Sequence, residues 1–327
     1  MNDKIKLTLI TVLACLIIIN FYLQLTGFQP EEKPIYRFPE YIQSSKNEFI
    51  AYELKPNTEI EFSGIKLSIN KDGFRDDNFN QNADYKIIVL GDSITFGADI
   101  EAKKTYPAIL EKILNEKHDL EYEVYNAGVG GYNLHQEVES FKNKLLIYQP
   151  DLVIVGFFQN DLDPIYLNFI FNRNIFLKKM PFFKYVDKTA IKRLKIVQFI
   201  DYSFYNIMEQ FFYKKIYRIY DEDILISANE LNKKYFFELE NLSKEYNFEI
   251  LIAEFPYLDN DPFRNSFEHR FIEKIKTTNS FNIIEMLAIF KEETSDLRSL
   301  RIAETDIIHF GEKGHKITAE AIYEFIS

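Results

Sequence analysis

Residues 86–97 read KIIVLGDSITFG. After Lys86, four apolar residues run unbroken into Gly91, and a short apolar run closed by turn residues is the pattern of a strand buried on both faces. The pattern recurs at Tyr122–Tyr125, Leu152–Phe157, Glu249–Glu254 and Asn282–Met286. Between these runs the period lengthens. Leu231, Tyr235, Leu239, Leu242 and Tyr246 fall three and four apart, and Ile317, Ala321 and Phe325 fall four apart, each set giving one apolar helical face. Strands alternating with helices predict the α/β class, a three-layer α/β/α sandwich around a parallel five-stranded sheet. Ligands of such sheets sit beyond the carboxyl ends of the strands, so Gly91–Gly97 lies where chemistry is expected.

The chain has 327 residues, room for one large α/β domain or two small ones. Its 39 Lys and Arg against 50 Asp and Glu give a net charge of −11, which disfavours a nucleic-acid partner held by phosphate neutralisation. Cys15 is the single cysteine, so neither an internal disulfide nor a cysteine metal cage is available. Leu7–Leu25 carries no charge, a length that crosses a bilayer as a helix. Lys4 and Lys6 precede it and Glu31 and Glu32 follow, which orients the amino terminus to the cytoplasm and everything after Gly27 to the periplasmic or extracellular side. The alternatives are a cleaved signal peptide, for which Asn20–Gln24 lacks the small-x-small pattern, and a lipoprotein signal ending at Cys15, beyond which the apolar run continues.

The expected order is an anchor over 1–28, a linker over 29–50 with three prolines between Gln29 and Lys46, a small β prelude over 51–84 and the main domain over 85–327. The prelude reads as a hairpin over Glu59–Ile69 followed by a turn at Asn70–Gly73. An insertion over 165–223 breaks the alternation. Ile165–Tyr220 crowds Phe and Tyr among eleven Lys or Arg with three opposing acids, a local charge of 11 − 3 = +8. It reads either as a helical cap with its own aromatic core or as a surface that leans on anionic lipid or shapes an acyl pocket.

Ser93 follows the first core strand, and if a helix begins there its own N–H points into the same pocket. The alternative for Gly91-Asp92-Ser93 is a plain turn and helix cap. The second strand runs into Asn126, Gly128, Gly130 and Gly131, and the third into Asn160 and Asp161. Three loops thus converge, offering Ser93 as nucleophile, Gly131 as a backbone donor and Asn160 as a side-chain donor for charge on a carbonyl oxygen. A serine needs a base. Of five histidines, His118, His135 and His269 read as solvated surface and His315 shares the last helix with Lys316, whereas His309 lies three residues after Asp306, which can set its tautomer.

Together these stretches resemble the SGNH/GDSL hydrolase family, from about Lys86 to Phe325 apart from the insertion. The matching positions are Gly91, Asp92 and Ser93; Asn126 and Gly131; Asn160 and Asp161; Asp306 and His309. The resemblance implies a flavodoxin-like sandwich with Ser93 as nucleophile, His309 as general base and then acid, and Asp306 orienting it. It implies the Ser93 N–H, the Gly131 N–H and the Asn160 amide as oxyanion donors, and no metal or organic cofactor. Asn70, Gly73, Phe74 and Arg75 look like a prelude of membrane-anchored bacterial relatives. Two positions depart from the pattern: Phe158 replaces a glycine before Asn160, and Phe310 replaces the frequent proline after His309. The expected activity is that of a serine esterase or deacylase acting on an acetylated glycan, a lipid ester or a small ester. The alternatives are an acyltransferase on a cell-surface glycan using the same triad and a non-catalytic glycan-binding relative. A rival dinucleotide-binding reading of Gly128 and Gly130 meets Asn133 in its last glycine position, Thr95 stands where a G-x-S-x-G elbow needs glycine, and H-E-x-x-H is absent.

Overall fold

The structure is a computed structural model, and it describes residues 3–27, 40–47, 49–50, 52–162, 195–196, 199, 222–259, 275 and 281–327. The insertion expected over 165–223, with its helical, aromatic and basic character, lies almost wholly outside the described residues, as does His269.

Helix α1 (Asp3–Leu25) holds the charge-free run, and Lys6–Leu25 is long and apolar enough to cross a membrane by length and composition, a test that a signal sequence also passes. Cys15 is exposed on it.

Short strands β1 (Ile42–Ser44) and β2 (Tyr52–Leu54) pair antiparallel, so the residues read as a linker already contain sheet. Gln43 Nε2 donating to Glu53 Oε1 at 3.0 Å fastens that pair. Strands β3 (Thr58–Phe62) and β4 (Ile65–Ile69) form the expected hairpin, turning through Ser63 and Gly64 in left-handed conformations.

The main sheet comprises β5 (Tyr85–Gly91), β6 (Tyr122–Asn126), β7 (Leu152–Phe157), β8 (Glu249–Glu254) and β9 (Asn282–Glu285), in the order β6-β5-β7-β8-β9 and all parallel. Successive side chains of a strand face opposite layers. Ile87 and Val89 join Leu110 and Leu114 of α3 (Tyr106–Lys117), Phe290 of α6 (Met286–Glu293) and Ile322 of α7 (Glu312–Ile326) in one core. On the other face Phe157 meets Phe236 of α5 (Glu222–Tyr246), and Phe141, just beyond α4 (Leu134–Ser140), meets Phe248. The result is the three-layer sandwich. Tyr246 and Phe325, placed on inward faces by periodicity, are exposed because each lies in the last turn of its helix. Met286, read as the end of the last strand, starts α6.

Candidate active site

At the end of β5 the backbone of Gly91 adopts φ +156°, and a side chain there would sit 2.0 Å from Thr95 Oγ1. Only glycine lets the turn close over Thr95. Asp92 caps the next element, its Oδ1 accepting from the Ile94 N–H at 2.8 Å, and Gly97 ends that element in the left-handed region. The product is a four-residue helix, α2 (Ser93–Phe96), with Ser93 at its first position. The Ser93 hydroxyl lies 2.8 Å from His309 Nε2, although 216 residues separate the two. His309 Nδ1 lies 2.7 Å from Asp306 Oδ2, while Asp306 Oδ1 accepts from the backbone N–H groups of Ile308 and His309 at 2.9 Å each. Burial pushes the Asp306 carboxyl up, but these donors and the ring outweigh it, and the group sits below its ordinary value.

The glycine loop comes beside Ser93: a Cβ on Gly130 would stand 3.9 Å from the Ser93 Cβ. Gly131 turns with φ +78°, and neither its N–H nor that of Ser93 has an acceptor among the described residues. Asn160, in the 3₁₀ turn Gln159–Leu162, faces the same region but is engaged. Its amide nitrogen donates to Asp92 Oδ2 at 2.8 Å and to the Tyr132 carbonyl at 3.3 Å, and its own Oδ1 is buried without a donor. Ser93, His309 and Asp306 are therefore joined in one hydrogen-bonded chain. Gly131 and Ser93 offer free N–H groups, and Asn160 offers one that is weakly held.

A model of the GDSL-like lipase/acylhydrolase family matches residues 87–322. The chain belongs to this family. It is accordingly a hydrolase of ester bonds. No curated protein matches it significantly. Solved structures similar to it include a protein assigned to the G-D-S-L family from Desulfitobacterium hafniense DCB-2 (14% identity, 74% of this chain and 99% of that one, TM-score 0.45). Also similar are the acetylxylan esterase Axe2 from Geobacillus stearothermophilus (17%, 75% and 95%, TM-score 0.49) and the acetyl xylan esterase AlAXEase (16%, 74% and 100%, TM-score 0.46).

The two departures from the GDSL pattern both point inward. Phe158 is buried against Tyr257, edge to face at 4.9 Å, so it fills core. Phe310 is buried between Phe255 and Phe290 at 5.1 and 5.3 Å, anchoring the loop whose preceding residue is His309. Asn126 serves behind the site: its side chain donates to the Thr95 carbonyl at 2.9 Å and accepts from the Gly128 N–H at 3.0 Å. His135, read as solvated surface, is buried, and so is His315 in the last helix. His135 stacks on Tyr235 at 4.3 Å. His315 accepts from the Tyr106 N–H at 3.2 Å, and burial, with Arg75 and His309 nearby, pushes it down to about 3. His118 is exposed.

Arg75, which the sequence reading placed only within a prelude, supports the site. Asn70 accepts from the N–H groups of Asp72 and Phe74, and Gly73 takes φ +85°, forming a turn that delivers Arg75. The buried Arg75 guanidinium donates to the carbonyls of Phe96, Gly97 and Ile100 at the end of α2. A cation there complements the carbonyl end of the helix that starts at Ser93. The signal available was an arginine directly after an aromatic in a tight Asn–Gly turn.

Proposed function

We propose that this hydrolase is a membrane-tethered serine esterase or deacylase of the cell envelope, working through an acyl-serine intermediate. The reading is carried by the continuous chain Asp306–His309–Ser93, with heavy-atom distances of 2.7 and 2.8 Å. His309 Nε2 takes the Ser93 proton as Oγ attacks the ester carbonyl, then returns it to the leaving alkoxide; water, activated by the same nitrogen, releases the acid. Asp306 keeps the Nδ1 proton in place and stabilises the imidazolium. The Ser93 and Gly131 N–H groups receive the oxyanion, joined by Asn160, whose long bond to Tyr132 is the one exchanged.

Residues 1–28 act as the anchor, with the amino terminus cytoplasmic and the catalytic domain outside. This orientation is supported by the apolar helix and its flanking charges. The substrate is an ester on a glycan or lipid within reach of the membrane.

The test uses the full chain in detergent. A serine-reactive phosphonate labels Ser93, and Ser93→Ala abolishes turnover of a short-chain aryl ester while the melting transition persists. Full activity in Ser93→Ala refutes the mechanism. Aryl esters of graded length separate deacetylase from lipase, and acyl transfer to an added sugar alcohol identifies a transferase.

A further inference from the structure

Three carboxyl groups lie behind the reacting face: Asp92 after β5, Glu137 on α4 and Asp161 in the Gln159–Leu162 turn, each no more than 2% exposed. Asp92 is fully engaged by the Ile94 N–H and the Asn160 amide. Asp161 Oδ2 accepts from the Phe158 N–H at 2.7 Å. The remaining Asp161 oxygen and both Glu137 oxygens are buried with no hydrogen-bond partner among the described residues, and each carboxyl is a charged neighbour of the other. Two ionised carboxylates side by side in a buried site repel, whereas one proton between them makes a short charge-assisted bond.

The surroundings favour keeping that proton. The groups facing the pair are Asp92, which is partly offset by His309, the Tyr106 hydroxyl of α3 and the Tyr132 hydroxyl of the glycine loop. None of the three carboxyls pairs with a Lys or Arg among the described residues. Burial first, and then the neighbouring carboxylates, push both Glu137 and Asp161 upward.

The position of the pair gives it a task. Glu137 sits in the helix that follows the glycine loop directly, and Asp161 adjoins Asn160. We infer that Glu137 and Asp161 are positioning residues: the proton they share ties α4 to the asparagine turn and fixes the spacing between the Gly131 N–H and the Asn160 amide. This rests on the oxyanion role proposed for those two donors.

Glu137→Gln tests it, because an amide donates to Asp161 without a titratable proton. In the wild type, kcat for an aryl ester falls on an alkaline limb, about tenfold per pH unit once the shared proton leaves. Glu137→Gln loses that limb. Asp161→Asn, whose amide can point to Glu137, loses it too and covers a failure of the first variant to fold. Thermal unfolding reads the proton without catalysis. The folded chain holds a proton that the unfolded chain releases, so wild-type stability falls as pH rises, and either amide variant flattens the fall.

An alkaline limb absent from the wild type, or unchanged in both variants, overturns the inference even if the stability curves flatten. Phosphonate labelling in the same samples keeps the two readings apart. Failure to label Ser93 sinks the proposed function, whereas intact labelling with an unmoved limb sinks only the shared proton.

Discussion

Asp306→Asn isolates what the carboxylate does for His309. In the wild type, Asp306 Oδ1 accepts two backbone N–H bonds at 2.9 Å and Oδ2 faces His309 Nδ1 at 2.7 Å. An asparagine has one acceptor oxygen, and the two N–H groups claim it. Turning the amide round forfeits two bonds of about 1 kcal/mol each and sets an NH₂ against two donors, so the first orientation is favoured by roughly 2–4 kcal/mol. That orientation aims the amide N–H at Nδ1, which must then accept, and the ring proton moves to Nε2. There it faces Ser93 Oγ, and the nitrogen that should take a proton already carries one. An energy of 2–4 kcal/mol leaves the working tautomer at about one part in 30 to one part in 1,000, before the lost stabilisation of the imidazolium is counted. We expect kcat/KM for an aryl ester to fall by about 10³- to 10⁴-fold with little change in the melting transition. Asp306→Ala is the control: it abandons both backbone bonds and melts lower, yet leaves either tautomer open and retains more activity than the asparagine variant. Asp306→Asn within tenfold of wild type, or an alanine variant equally slow, would refute the tautomer argument.

Asn160→Ala removes a donor that is bonded to Asp92 at 2.8 Å, and kcat should fall about 10²- to 10³-fold in steady-state assays; a change below twofold removes Asn160 from the oxyanion site. Gly156→Ala places a Cβ 2.5 Å from Thr95 Oγ1 and 2.6 Å from the Tyr106 hydroxyl. Denaturant titration should register a loss of about 1–3 kcal/mol, and an unshifted midpoint would show that the Thr95 pocket yields freely. His315, neutral in the fold and held down to about 3 against an ordinary 6.5, gives stability that is complete above pH 6.5 and lost as pH falls toward 3. His315→Gln should flatten that acid loss by about 1.4 kcal/mol per pH unit. The measure is the difference between variant and wild type, because the raised carboxyls of Asp76 and Glu137 bind protons on folding and act in the opposite sense. Equal acid slopes would contradict it.

The sheet was legible because its strands are apolar on both faces. β7 and β8 run over the residues that periodicity marks, and β5 exceeds its marked run by one residue at each end. The pairing of Ser93 with His309 was legible for a different reason: Asp92–Ser93 and Asp306–His309 match ordered blocks of the family that the sequence resembles, and the resemblance implies that they meet. Buried polar residues were not legible, since a charged or imidazole side chain reads as solvated until its partners are known. His315 shows this. Its neighbours Glu312, Lys313 and Lys316 are polar, yet His315, Thr318, Ala319 and Ile322 fall at helical spacing on a second buried face of α7. Glu137 reads as one more acid in a polar helix, and only its contact with Asp161 gives it a place. The orientation of Asn160 was hidden in the same way, because Asp92, on another loop, sets it.

Residue 85 is where the main sheet starts, and the chain before it also holds the loops of the candidate site. Parallel βα units leave the backbone of their carboxyl-end loops without ladder partners, so those groups must be served from outside the repeat. Here the chain before β5 serves them. Tyr52 donates to the Gly130 carbonyl at 2.7 Å, the Ile50 carbonyl accepts from Gln136, and Asp76 accepts from the Asn126 N–H at 2.6 Å. Arg75 closes the end of α2. Each of the first two sequence blocks is thus fastened by a residue between 50 and 76, and one compact unit of the fold begins at Pro39. The positions of Ser93 and Gly131 therefore depend on a segment that carries no reacting group. The prelude thus braces the loops of the candidate site, through bonds that include a buried arginine at the end of a tight Asn–Gly turn directly upstream of the sheet.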